Sequence, residues 1–421
     1  MNNKVAVEDL RVGMFIHLDL GWMSHPFPLS SFRIASADQI ATIRGLGLQH
    51  VRWAPDKSDL PEPATLAAST PTQAPVAETA EQIAQRERRE RLASEREARL
   101  RCEQQYGEAG RAWREAWDSV AAQPKHARGQ AEALSRTLVD KLLVDGEMCV
   151  RLLNSSAGDR ATAHALNVAV ISLLMGRSFG MSAEDMLDLG VGALLHDVGK
   201  QDVQDRFRHM DERFGPAETS SYREHVSLGV TQGKRMELAP GALLVLAQHH
   251  ENADGSGFPM RLNADRMSTA ARIVSIVNRY DNLCNPLVAS RALTPHEALS
   301  MLFAQSRAKF DATILNAFIR MMGVYPAGSV VQLTDDRYAM VTSVNSSRPL
   351  KPRVLVHDPK VPRDEALLLN LETLPNLGIR RSLNPSKLPT AALDYLAPKP
   401  RVAYFFEPAV VEHRETEEAT A

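Results

Sequence analysis

The residues of this 421-residue chain best suited to chemistry are two doublets, His196–Asp197 and His249–His250. Each closes an apolar run, "GALLHD" and "LVLAQHH". A buried helix that ends in such side chains must satisfy their polar atoms, and metal ligation does so. His164, Lys200, His225, Asn278 and Asp281 fall in the same stretch. Imidazole with carboxylate suits Fe, Mn or Zn better than Mg alone. Asp197 carries two oxygens and is read as a bridge between two ions. With His164, His196, His225, His249 and His250 it makes a binuclear centre; paired ions about 3.5–4 Å apart are the usual arrangement for phosphoester hydrolysis. Their charge lowers the pKa of a bound water and gives a hydroxide nucleophile near neutral pH. Lys200, one turn beyond the doublet, is placed to neutralise a phosphate oxygen. His209, His296 and His357 are read as surface or hydrogen-bonded residues without a ligand role.

The elements that must hold these residues follow from periodicity and caps. Residues 131–325 read as almost entirely helical. Ser182 ahead of Glu184 and Asp185 marks a helix start, as do Ser268 and Asp311. "TPHE" puts Thr294 at an N-cap, Pro295 at the first helical position and Glu297 three residues on, a capping box. Residues 1–56 read as a small α+β unit, with strands in "GMFIHLDL" and "HVRWAP" around the helix "SADQIATIRGLG". Residues 57–130 are a linker rich in Pro, Ala, Thr and Ser followed by a charged helix. Acids and bases alternate along that helix, which makes a solvated face the first reading and a coiled-coil dimer contact the second. Trp113 and Trp117 lie four apart on it and are read as helix packing. Residues 326–405 change period in "GSVVQL", "RYAMVTSV" and "RVLVHDP" and read as a β-rich extension. Residues 406–421 read as an acidic, frayed tail. The expected class is mainly α: an all-helical domain with a small α+β domain before it and a small β-rich appendage after it.

Composition narrows the setting. A net charge of −2 argues against a nucleic-acid binder. Three scattered cysteines without a CxxC fit a reducing compartment. The start "MNNKVAVEDLRVGMFI" has no signal-peptide pattern, and "NVAVISLLMG" is too short to span a bilayer. A soluble cytoplasmic protein without membrane partners is expected.

"LLHDVGK" (194–200) and "HHENADGSGFP" (249–259) resemble the signature motifs of the HD-GYP phosphodiesterases, HD-superfamily enzymes that hydrolyse cyclic di-GMP. The resemblance extends through "HALNVAV", "REHVSLG", "ARIVSIVNRYDNL" and "LTPHEAL". The N-terminal segment is similar to the domain of unknown function (DUF3391) that often precedes such domains. The resemblance implies metal ligands at His164, His196, Asp197, His225, His249, His250 and Asn278. It implies catalytic roles for Asp197 and Lys200. Substrate contacts would come from Lys200, Arg291 and the loop residues Asp254, Gly255, Gly257 and Pro259. It implies cyclic di-GMP as substrate and a diguanylate cyclase (GGDEF) protein as partner, while a homodimer is the second reading of the charged helix alone.

The chain departs from the family pattern at several positions. Asn278 replaces an aspartate ligand, Leu287 a basic residue, and Met210 a lysine. Phe258 stands where the family's namesake triad has tyrosine. Arg160, one turn before His164, stands where some members have an acid for a third metal, so two ions at most are expected. The alternative to a working phosphodiesterase is a degenerate module that binds cyclic di-GMP or a diguanylate cyclase without turnover.

Overall fold

A computed structural model describes residues 3–27, 29–60, 79–144, 146–153, 159–305, 307–366 and 368–409. Most of the Pro/Ala-rich linker and the acidic tail beyond residue 409 lie outside the described residues. The chain forms two compact units, Met1–Glu90 and Arg91–Ala421.

The first unit holds β1 (Lys4–Ala6), β2 (Phe15–His17), β3 (Ser31–Arg33), α1 (Ala37–Gly45) and β4 (His50–Ala54). The strands make an antiparallel sheet in the order β1-β4-β2-β3. The Ser36 side chain caps α1 by accepting from the Gln39 N–H. Ile16, Ile34, Ile43 and Val51 are fully buried between helix and sheet.

A long helix, α2 (Ala80–Ser119), leads into the second unit. Its second half corrects the expectation of a solvated or dimerising helix. Cys102, Tyr106, Ala109, Trp113, Ala116 and Val120 are buried, and their four–three spacing makes one stripe. The stripe packs inside its own unit: Tyr106 meets Phe405 edge-on at 6.0 Å. The charged residues around it form the outer face.

The helical body comprises α3 (Pro124–Leu142), α4 (Arg160–Ser178), α5 (Ala183–Leu195), α6 (Pro216–Arg235), α7 (Pro240–Gln248), α8 (Thr269–Cys284), α9 (Pro295–Gln305) and α10 (Ala312–Met322). The expected caps are present. Ser182 accepts from Asp185 N, Ser268 from Ala271 N, and Asp311 from Thr313 N and Ile314 N. Thr294 and Glu297 cap each other's backbone N–H. Gly192 lets α5 and α7 touch: a Cβ there would lie 2.6 Å from Val245 Cβ. That approach sets the two ligand-bearing helix ends side by side.

The expected β-rich appendage is present after the helical body, and it takes in one strand from before α4. β5 (Met148–Leu152) precedes α4 in the chain, inside the stretch read as helical. It pairs with β7 (Tyr338–Asn345) and with β11 (Tyr404–Pro408). With β6 (Val330–Leu333), β8 (Arg353–Val356), β9 (Leu368–Asn370) and β10 (Ile379–Leu383) they form one seven-stranded sheet. The short helix α11 (Thr390–Leu396) leads toward β11. β11 runs past residue 405, so an ordered strand occupies the start of the stretch read as tail. Its neighbours reach the site: Asn167 on α4 accepts from Tyr404 N and donates to Val402 O.

Candidate metal centre

Four helices and one turn converge on Asp197. His164 comes from α4, His196 from the C-cap of α5, His225 from α6, and His249 and His250 from the end of α7. One donor atom each from His164, His196 and Asp197 lie within 4.8 Å of one another, and so do those of Asp197, His225, His249 and His250. Asp197 belongs to both sets. Its Oδ2 lies 3.7 Å from His164 Nε2 and 3.5 Å from His196 Nε2. Its Oδ1 lies 3.7 Å from His225 Nε2 and 3.8 Å from His249 Nε2.

The tautomers follow from what the outer nitrogens touch. His196 Nδ1 donates to Ala193 O at 2.8 Å, His225 Nδ1 to Tyr222 O at 2.6 Å, and His249 Nδ1 to Leu246 O at 2.9 Å. His164 Nδ1 donates to the Asp281 carboxylate at 2.6 Å. Carbonyl and carboxylate oxygens only accept, so the proton sits on Nδ1 and each Nε2 turns a lone pair inward. Burial favours the neutral form of three of these rings: it pushes His196 down to about 4 and lowers His225 and His249. Yet the Nε2 atoms of His164 and His196 face each other at 3.1 Å, and those of His225 and His249 at 3.4 Å. Two lone pairs at that distance repel unless a cation lies among them. Asp197 Oδ1 is buried and accepts no hydrogen bond among the described residues. Burial would raise the Asp197 pKa, but Lys200 and the surrounding histidines hold it well below the usual carboxylate range. The cluster is therefore suited to divalent cations.

Lys200 Nζ sits 2.6 Å from Asp197 Oδ2. Asp281, fully buried, also accepts from Asn167 and Asn285, so the residue that orients His164 is itself fixed. Sequence reading placed Asp281 in the constellation without this role; the signal was its position three residues after Asn278 on one helix.

A cavity of about 460 Å³ opens onto His164, His196, Asp197 and Lys200. Arg160 and His209 also line it, their side chains 3.2 Å apart. His209 is thus a hydrogen-bonded residue, as one of its two readings had it, and it also forms part of the cavity wall. Burial, then Arg160, pushes its pKa down to about 4.

Several predicted residues lie elsewhere. Arg291 pairs with the exposed Glu212 at 3.5 Å and is not among the cavity-lining residues. Leu287 and Met210 are exposed. Asn278 is buried, and its Oδ1 accepts from Asn282, a cavity-lining residue, at 2.6 Å. The turn 254–259 does not line the cavity either. Asp254 accepts from its own neighbour Ser256, and Gly255 has a φ of 77°. Gly257 lies so close to the chain before it that a Cβ would stand 2.4 Å from Asn252 N. The buried Glu251 ties the turn down by accepting from Met260 N and Leu262 N. Phe258, just before Pro259, stacks on His250 with centroids 4.6 Å apart. The turn thus buttresses His250 through Phe258.

Residues 2–131 match DUF3391, a domain of unknown function, and residues 147–314 match the HD domain family. A cyclic di-GMP phosphodiesterase of Pseudomonas aeruginosa is 26% identical over 367 residues, 85% of either chain. One of Borreliella burgdorferi is 22% identical and aligns over 53% of this chain and 60% of its own length. A 3'3'-cGAMP-specific phosphodiesterase of Vibrio cholerae is 28% identical, over 43% of this chain and 36% of its own. No helix among the described residues is long and apolar enough to cross a membrane.

Proposed function

We propose that this protein, a member of the HD-GYP family that joins a DUF3391 domain to an HD domain, is a metal-dependent phosphodiesterase acting on cyclic di-GMP. The observation that carries the reading is the pair of inward-facing Nε2 sets divided by one carboxylate. His164, His196 and Asp197 Oδ2 would hold one divalent ion; Asp197 Oδ1, His225, His249 and His250 would hold the other. Fe and Mn suit these donors best, with Zn a third choice. When bound, the two ions supply an activated water and neutralise charge on the phosphoryl group.

The chain's own residues do the rest. The Nδ1 bonds hold His164, His196, His225 and His249 in the tautomer that presents a lone pair. Lys200 and Arg160 set two fixed positive charges in the cavity wall, the sign that the phosphates of a cyclic dinucleotide require. Neither has to reorganise as charge builds on the phosphoryl oxygens. The turn at 254–259 keeps His250 in place through Phe258.

The test is turnover under anaerobic conditions. The protein is loaded separately with Fe(II) and Mn(II), given cyclic di-GMP, and its products resolved by chromatography beside Asp197→Ala. The linear dinucleotide or GMP from the parent and none from the variant is the expected result. Bound metal without product would overturn hydrolysis and leave a binding-only module.

A further inference from the structure

One wall of the cavity comes from α2, outside the segment that matches the HD family. Trp113 and Trp117, one turn apart, stack with centroids 4.9 Å apart and planes 30° apart. Both line the cavity, as does the next residue, Asp118. The pair is tied to both ends of the segment that carries His196, Asp197 and Lys200. Trp113 Nε1 donates to Leu194 O at 2.9 Å, and Gln201 Nε2 donates to Trp117 O at 2.7 Å. Its distance from the ligand cluster is therefore set by the fold.

The two rings are not equivalent. Trp113 is buried and its N–H is used, which is an ordinary packing role. Trp117 is only partly covered and lies against a cavity whose other walls carry Arg160 and Lys200. An apolar face beside fixed cations suits a ligand that is flat and aromatic at one end and anionic at the other. Resting on the reading of the site as a cyclic-dinucleotide phosphodiesterase, we propose that Trp117, backed by Trp113, is the stacking platform for one base of the substrate. Asp118 then reads that base. Stacking serves every base, because each has a π face. The carboxylate discriminates: guanine offers N1–H and N2–H donors on one edge, and a carboxylate accepts both side by side. Adenine presents a bare N1 on the corresponding edge, which repels it. The substrate's base preference thus sits on a helix inside the DUF3391 match and outside the HD match.

The test uses the full chain loaded with Mn(II). KM and kcat are measured for cyclic di-GMP and cyclic di-AMP in the parent, Trp117→Ala, Trp117→Phe and Asp118→Asn, and quenching of tryptophan emission is measured with GMP. Trp117→Ala is expected to raise KM for cyclic di-GMP roughly 5- to 150-fold, the range of one base–aromatic stack, with much less change in kcat. Trp117→Phe recovers most of the loss but removes the GMP-induced quenching. Asp118→Asn narrows the preference for cyclic di-GMP over cyclic di-AMP. Turnover in the parent with an unchanged KM in Trp117→Ala overturns the platform and leaves the phosphodiesterase standing. No turnover in the parent, but GMP quenching lost in Trp117→Phe, supports the platform and overturns the phosphodiesterase. Neither turnover nor quenching in the parent overturns both.

Discussion

Asp281→Asn removes one negative charge without changing shape, and the surrounding hydrogen bonds dictate its effect. Oδ2 of Asp281 accepts from His164 Nδ1 at 2.6 Å; Oδ1 accepts from Asn167 Nδ2 at 2.7 Å and from Asn285 Nδ2 at 2.8 Å. The two neighbouring amides cannot flip to help. Each has its oxygen engaged by a backbone N–H, from Tyr404 for Asn167 and from Val402 for Asn285. If the new NH2 group faces them, donors meet donors in a buried site. If it faces His164, the ring must move its proton to Nε2 and lose the inward lone pair. The first arrangement strands buried donors at about 1–3 kcal/mol each. The second removes one metal ligand, and losing such an orienting partner typically costs about 10- to 100-fold in metal affinity. The substitution is therefore expected to lower the melting temperature by several degrees and to weaken Mn(II) binding at least tenfold, roughly the lower end of that range. Thermal melts with and without Mn(II), and a metal titration, check both. A variant with the parent's melting temperature and the parent's Mn(II) affinity would refute the assignment of Asp281 as the group that sets the His164 tautomer.

Other outcomes rest on the same geometry. Gly199→Ala places a Cβ 2.0 Å from His225 O and 2.3 Å from Gly229 N, so the turn after Asp197 must move away from α6. Metal content and turnover should both collapse, since sites tolerate only about 0.5 Å of displacement; unchanged metal content would contradict the close approach. Arg160→Ala should raise KM for cyclic di-GMP about tenfold, the order of one charge-assisted bond, and lower the slope of KM against salt. Lys141 is fully buried, and burial, opposed by Asp140 and Glu108, lowers its pKa to about 7. Between that value and the unfolded value the unfolded chain binds the extra proton, so stability rises with pH, by at most about 1.4 kcal/mol per unit, and the slope vanishes below about pH 7. Lys141→Met should flatten that rise in denaturant melts taken at about pH 7 and 9.5; an unaltered slope would refute it.

Local chemistry made much of this legible in the sequence. A cap needs only a side chain and a backbone N–H two or three residues on, so Ser182, Ser268, Thr294, Glu297 and Asp311 were readable from spacing. His196 and His249 were readable because each ends an apolar helix in groups that burial would penalise. What escaped depended on distant partners. "MCVRL" is a five-residue run, apolar except for Arg151, that suits helix or strand equally, and only its pairing with Tyr404–Pro408 and β7 decides. The charged texture of α2 hid a regular buried stripe from Cys102 to Val120. Asp281 and His164 are far apart in the chain and meet only when α4 and α8 pack. Arg291 and the turn at 254–259 entered only through the family resemblance, and their own residues do not announce their nearest partners, Glu212 for Arg291 and Ser256 and Glu251 for the turn.

The central claim is that one carboxylate divides two ion sites. Metal content per chain, measured after anaerobic loading with Mn(II) for the parent, Asp197→Ala and His164→Ala, tests it most directly. The account predicts two ions in the parent, loss of both in Asp197→Ala, and loss of one in His164→Ala. Retention of both ions by Asp197→Ala, or a single ion in the parent, would contradict it.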